Sequence, residues 1–272
     1  MRAGILRGFA HSDFKIQRWY DAPQMDNFDT PQTLALFALI FIAAVLYASV
    51  GHGGASGYLA AMALFGVAPA AMKPLALSMN IMVAGWGFVR LHRAGYFKFS
   101  LFWPFALGSI PAAYLGGAWK LTDTTYRTIV GIALLLAALR MFAEYKDDIV
   151  KRTPPFTAAL LLGAGIGLLS GLTGVGGGIF LSPILLMLHW TTMRESAALA
   201  AAFILVNSIA GLVGYAGSAH AVLPESLWIF VLVALAGGLL GSELAVRRLA
   251  PGILKRLLGV VLIIAAGKMI WS

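Results

Sequence analysis

An apolar, uncharged run in this chain is broken by a glycine cluster, and the same break occurs a second time. Gly51-His52-Gly53-Gly54 follows the run 34–50, and Gly174-Val175-Gly176-Gly177-Gly178 follows the run 158–172. The first glycines of the two clusters are 123 residues apart in a chain of 272. A short apolar stretch follows each cluster and ends in a similar pair, Met72-Lys73 or Met193-Arg194. Irregular backbone in the middle of hydrophobic sequence restricts the fold sharply. At membrane depth it persists only where protein buries it or where it lines a wet cavity.

Composition places the chain in a bilayer. Sixty per cent of the residues are hydrophobic and 11% are charged, against about 45–50% and about 25% in soluble domains. Runs such as 34–50, 101–119 and 226–241 carry no charge and suit a hydrocarbon core of about 30 Å. Their continuity, without alternation, argues against an outer-membrane barrel. The expectation is an all-α polytopic membrane protein. The net charge of +9 reads as the excess of Lys and Arg in cytoplasmic loops rather than as a nucleic-acid surface. With no cysteine, disulfides, thiol catalysis and thiolate metal sites are excluded. The polar segment 1–31 has no apolar core of the kind a secretory signal needs. It reads as a short interfacial helix, carried by Ile5, Phe9, Phe14, Ile16 and Trp19, or as an unstructured tail.

Ten apolar segments are expected: 32–50, 56–67, 74–92, 100–118, 124–142, 156–172, 178–190, 195–215, 226–246 and 252–271. The second and seventh reach only about 18–20 Å as helices, roughly two thirds of the core. Both directly follow a glycine cluster, so each is read as the second arm of a helix hairpin with a glycine tip. Further matches relate the halves: Ala94-Gly95 to Ala216-Gly217, Leu115-Gly116 to Leu240-Gly241, and Arg140-Met141 to Lys268-Met269. Two repeats are therefore expected, 32–143 and 156–272, with a charged linker 144–155 ending in Pro154-Pro155.

Basic residues set the orientation. Leaving out the N-terminal tail, twelve Lys and Arg fall on one side of the expected topology and four on the other. The richer side is expected to be cytoplasmic, with both termini outside. Each repeat then makes an odd number of crossings, so the repeats are inverted and their tips meet near the midplane.

A helix that starts after a glycine run offers free backbone N–H groups and a partial positive charge. Two such starts facing each other would hold an anion. The candidate binding residues are Gly51, His52, Gly53 and Gly54 at the first tip, and Gly174, Gly176, Gly177 and Gly178 at the second. Glycines that merely allow close helix packing are the alternative. Ser56 and Thr173 could add hydroxyls, or could cap or bond back to their own helices. His52 could titrate and couple transport to protons. Asn80 and Asn207 lie within apolar segments, where an amide faces protein and binds either substrate or a neighbouring helix. Trp86 reads as core packing or as one wall of a substrate path. Glu243 reads as an i,i+4 partner of Arg247. Lys73 and Arg194 read as interfacial cations that snorkel or attract anions.

The two Gly-x-Gly-Gly tips, the short arms after them, Arg93-Ala94-Gly95 and the stretch 112–117 together resemble the sulfite exporter TauE/SafE family, also called the toluene sulfonate uptake permeases. The resemblance covers about residues 32–271. It implies a secondary transporter of small sulfur-containing anions such as sulfite, sulfoacetate or other organosulfonates, in the cell inner membrane and without a cofactor. Its partners would be the small anion, the lipid bilayer and coupling protons. Two other readings compete. One is an anion channel of the same fold. The other is an intramembrane serine protease using Ser56, because Gly54-Ala55-Ser56-Gly57 resembles the rhomboid nucleophile motif. That reading lacks a histidine at depth, since His92, His189 and His220 fall at segment ends. The chain has no phosphate-binding Gly-x4-Gly-Lys-[Ser/Thr] loop.

Overall fold

The protein is described from a computed structural model, and the description extends to residues 30–49, 51, 53–142, 152–221, 223–246 and 252–271. Among these residues there are ten helices and no strand. They are α1 (Thr30–Ser49), α2 (Ala55–Leu64), α3 (Pro69–Arg93), α4 (Phe99–Ala118), α5 (Asp123–Phe142), α6 (Phe156–Thr173), α7 (Gly178–Met187), α8 (Met193–Ala216), α9 (Leu227–Val246) and α10 (Gly252–Trp271). Five of them, α1, α3, α4, α6 and α8, are long and apolar enough to cross a membrane. The arms α2 and α7 have ten residues each.

Polarity is arranged for lipid. Leu107, Leu161, Trp228 and Leu232 are more than half exposed, while Asn80, Ser109, Ser170, Thr173, Asn207 and Ser208 are wholly buried. A polar group at lipid depth is best satisfied inside the bundle, and apolar side chains meet the hydrocarbon at no cost.

Small residues set the packing. The main helix pairs are α4 with α6, α1 with α9, α5 with α10, α4 with α8, and α3 with α8. Between α4 and α6 the backbones nearly touch. A β-carbon on Gly171 would stand 2.1 Å from Ala113 O, and one on Gly108 would stand 2.2 Å from Leu160 O. Across α1 and α9, Gly241 meets Val45 O in the same way, at 2.2 Å. With no hydrophobic drive between helices in lipid, such close approach supplies the dispersion contacts that hold them.

Two expectations need correcting. Lys73 does not snorkel. It is 5% exposed, and its Nζ reaches Gly116 O, Gly117 O and Trp119 O at 3.4, 3.4 and 3.2 Å. It therefore satisfies carbonyls that the end of α4 leaves open. Trp86 is not in the core: it is 42% exposed, and its Nε1 donates to Ser242 Oγ at 3.1 Å. The partner expected for Glu243, Arg247, lies outside the described residues; Glu243 itself lies 3.6 Å from Arg90 Nη1, which ties α9 to α3. The two glycine-tipped arms also differ. The first arm, α2, packs on α10 and α1, whereas α7 packs chiefly on α8.

Candidate functional site

Left-handed backbone builds both tips. Gly54, at φ 93°, is the N-cap of α2, and Gly177, at φ 78°, is the N-cap of α7. Gly174, at φ 86°, closes α6, and Gly51 and Gly176 both have φ of 80°. Only glycine adopts this region without a steric penalty. Neither N-cap has a side-chain hydrogen bond to the first turn. The first-turn N–H groups of α2 and α7 are thus not capped from their N-cap positions.

The two tips meet across α3 and α8. A β-carbon on Gly53 would lie 3.0 Å from Ile204 Cγ2, 3.1 Å from Asn80 Oδ1 and 3.3 Å from Ala84 Cβ. One on Gly176 would lie 2.8 Å from the same Ile204 methyl, 2.7 Å from Asn80 Nδ2 and 3.4 Å from Ser208 Oγ. Two residues on, a β-carbon on Gly178 would lie 2.5 Å from Ile204 Cδ1. A single isoleucine and a single asparagine therefore separate turns that lie half a chain apart.

Helical spacing brings the partners round. Ala76, Asn80 and Ala84 follow one face of α3 at intervals of four, and Ile204, Asn207, Ser208 and Gly211 follow one face of α8. The α3 face carries Asn80 Nδ2 to Gly174 O at 3.4 Å. Several polar atoms there have no partner among the described residues: Asn80 Oδ1, Asn207 Oδ1, Asn207 Nδ2 and Ser208 Oγ. A buried polar group left unpaired costs about 1–3 kcal/mol. Several of them on facing surfaces beside uncapped helix starts make the candidate site.

The other expected residues are placed differently. Gly51 faces α8 further toward its start, 2.8 Å from Ala197 Cβ. Gly54 is covered by Tyr58, whose hydroxyl donates to Gly53 O at 2.8 Å and braces the turn. Gly177 is enclosed by Ile166 and Phe203. Ser56 is paired with Tyr47 Oη at 2.5 Å. Thr173 Oγ1 donates back to Leu169 O at 2.6 Å and accepts from Val175 N at 3.2 Å. Both hydroxyls thus serve the turns themselves. His52 lies outside the described residues. Ser208, Ile204 and Tyr58 are not among the residues that the sequence points to. The adjacent polar pair Asn207-Ser208 in an apolar helix was the available signal for the first.

Comparison with known proteins agrees with this architecture. The family model described as Sulfite exporter TauE/SafE matches residues 36–269. A "Probable membrane transporter protein" of Sinorhizobium fredii is 39% identical over 245 residues, which is 88% of this chain and 99% of the relative. One of the same description from Methanocaldococcus jannaschii is 36% identical over 90 residues, 33% of each chain. No solved structure matches. A helical membrane bundle, two glycine turns facing the same Asn80 and Ile204, and a match along nearly the whole chain lead to one assignment: this protein belongs to the TauE/SafE sulfite exporter family of membrane transporters.

Proposed function

We propose that the protein is a secondary transporter of small sulfur-containing anions, sulfite or organosulfonates, which bind between the two glycine tips. The observation that carries this reading is the convergence of Gly53 and Gly176 on Asn80 and Ile204, with Ser208 beside Gly176 and unpartnered amide and hydroxyl atoms beside two uncapped helix starts. A tetrahedral oxyanion accepts hydrogen bonds in several directions and suits N–H groups converging from two helices. The tips would supply those groups, Ser208 a hydroxyl donor, and Asn80 and Asn207 amide donors.

Alternating access follows from two inverted repeats, 32–143 and 156–272, rocking about the site. The reciprocal packing supports such a repeat. α4 on α6 has its counterpart in α9 on α1, α4 on α8 in α9 on α3, and α7 on α8 in α2 on α3. Charge bias favours the inner membrane with both termini outside. The described ion pairs, Arg90–Glu243 and Lys98–Glu195, each join residues that this topology puts on the cytoplasmic side. Proton coupling through His52 is the remaining element of the proposal. The resemblance of Ser56 to a protease nucleophile loses weight, because its hydroxyl pairs with Tyr47.

Sulfite titration calorimetry on wild-type protein, Ser208→Ala and Asn80→Ala tests the site. Weakening by about tenfold or more in either variant, about 1.4 kcal/mol, is expected. Unchanged affinity in folded variants would refute binding at the tips.

A further inference from the structure

The long helices α3 and α8 lie antiparallel, and each begins with a cation that rests on a tyrosine at the far end of the other. Lys73 Nζ stands 5.8 Å from the centroid of the Tyr215 ring, in the last turn of α8. Arg194, in the first turn of α8, stands 5.3 Å from the ring of Tyr96, just past the end of α3. Arg194 Nη1 also donates to Tyr96 Oη at 2.5 Å. The tip site lies between these two contacts, on the stretches of α3 and α8 that carry Asn80 and Ser208.

We infer that Lys73 and Arg194 are anion-loading residues at the two entrances to the tip site, each resting on its tyrosine while empty. The inference rests on the transport reading above.

Three observations carry it. First, neither cation has a carboxylate partner among the described residues. The acid beside Arg194, Glu195, is engaged by Lys98 at 2.7 Å, and Lys73 has carbonyl acceptors only, at 3.2–3.4 Å. A buried ammonium held by neutral groups gains much from an anion that can replace them. Second, Lys73 adjoins the site through its own backbone: its Cα is 3.3 Å from the β-carbon position of Gly174. The backbone of Lys73 thus borders the second tip, while its Nζ lies at the end of α4 beside Tyr215. Third, the surroundings of Lys73 are positive. Tyr215 stacks edge-on against His220 with ring centroids 5.8 Å apart. After its own partial burial, Lys73 and then Lys120 are what hold the His220 imidazole below its ordinary value. A cation–π contact is worth only about 0.5–2 kcal/mol, so a passing anion can displace the ring.

The test is sulfite flux into proteoliposomes with the protein inserted in one direction, measured separately from each face. Lys73→Gln is expected to raise KM at the Lys73 face by at least about tenfold, with kcat and the opposite face little changed. Lys73→Arg is expected to restore it. Arg194→Gln is expected to show the mirror pattern and Arg194→Lys to rescue it. Because Lys73 also holds the end of α4, the exposed Arg194 variant keeps the test decisive if Lys73→Gln does not fold. Changes in kcat alone, or equal changes at both faces, would overturn the inference and leave the tip site standing. An absence of saturable sulfite flux in the wild type would overturn both.

Discussion

Asn80 joins the two glycine turns. Its Nδ2 donates to Gly174 O in the second turn at 3.4 Å. Its Oδ1 lies 3.1 Å from the place a β-carbon would occupy on Gly53 in the first. One side chain midway along α3 thus touches irregular backbone from both halves of the sequence. Its oxygen has no hydrogen-bond partner among the described residues.

Ser208 separates ligand binding from stability. Its buried hydroxyl has no described partner, and an unpaired buried group costs about 1–3 kcal/mol. Ser208→Ala is expected to unfold at the same temperature as wild type or higher, and to lose the stabilisation that sulfite gives the folded state. Thermal unfolding with and without sulfite measures both effects. A lower melting temperature without ligand would mean that the hydroxyl supports the fold.

Gly176 and Gly53 meet the same Ile204 methyl, but only Gly176 has a positive φ. Gly176→Ala is expected to lose roughly 1–2 kcal/mol from the left-handed backbone, with a clash against Ile204 and Asn80 in addition. Adding Ile204→Ala should recover part of that clash and none of the backbone cost. In Gly53→Ala the cost is steric, so the same second substitution should recover a larger share. Double-mutant cycles of unfolding free energy check the difference.

Gly171 and Gly87 differ in what a methyl would meet. At Gly171 it would stand 2.1 Å from a carbonyl oxygen of α4, and at Gly87 nothing lies within 4 Å. Gly171→Ala is expected to cost about 1–3 kcal/mol or more by forcing two backbones apart. Gly87→Ala, in the interior of α3, is expected to gain roughly 0.5–1 kcal/mol from the lost chain entropy of glycine. Unfolding in a mixed-micelle denaturant series compares the two.

Much of the helix pattern is legible in the apolar runs because lipid demands long uncharged stretches. The short arms, expected at 56–67 and 178–190, are Ala55–Leu64 and Gly178–Met187. The start of α3 is less legible. A charge at Lys73 and a proline at Pro74 look like a boundary, yet the helix begins at Pro69. Lys73 is buried there because the open carbonyls of α4 lie beside it. Those carbonyls are brought in by packing between distant segments, which no local pattern encodes. Asn80 is readable as inward-facing, since an amide avoids lipid. That it stands between the two turns is not readable, nor is the role of Ile204, an ordinary apolar residue in an apolar helix.

His220 gives a pH signature. Partial burial, then Lys73 and Lys120, depress its pKa from 6.5. The unfolded chain then binds the extra proton more readily, so this residue lowers stability as pH falls from the unfolded value through the folded one. His220→Gln is expected to flatten that acid-side loss. Lys73→Gln is expected to raise the His220 pKa by removing one repelling charge. Titration of labelled histidine by NMR reads the direction.

The most direct measurement is anomalous diffraction from crystals grown with selenite, a heavier analogue of sulfite. A selenium peak between the two tips, within hydrogen-bonding distance of Ser208 Oγ and the amide of Asn80, is the expected result. Selenium found only at surface lysines and arginines, with the space between Gly53 and Gly176 free of it, would contradict binding at the glycine turns.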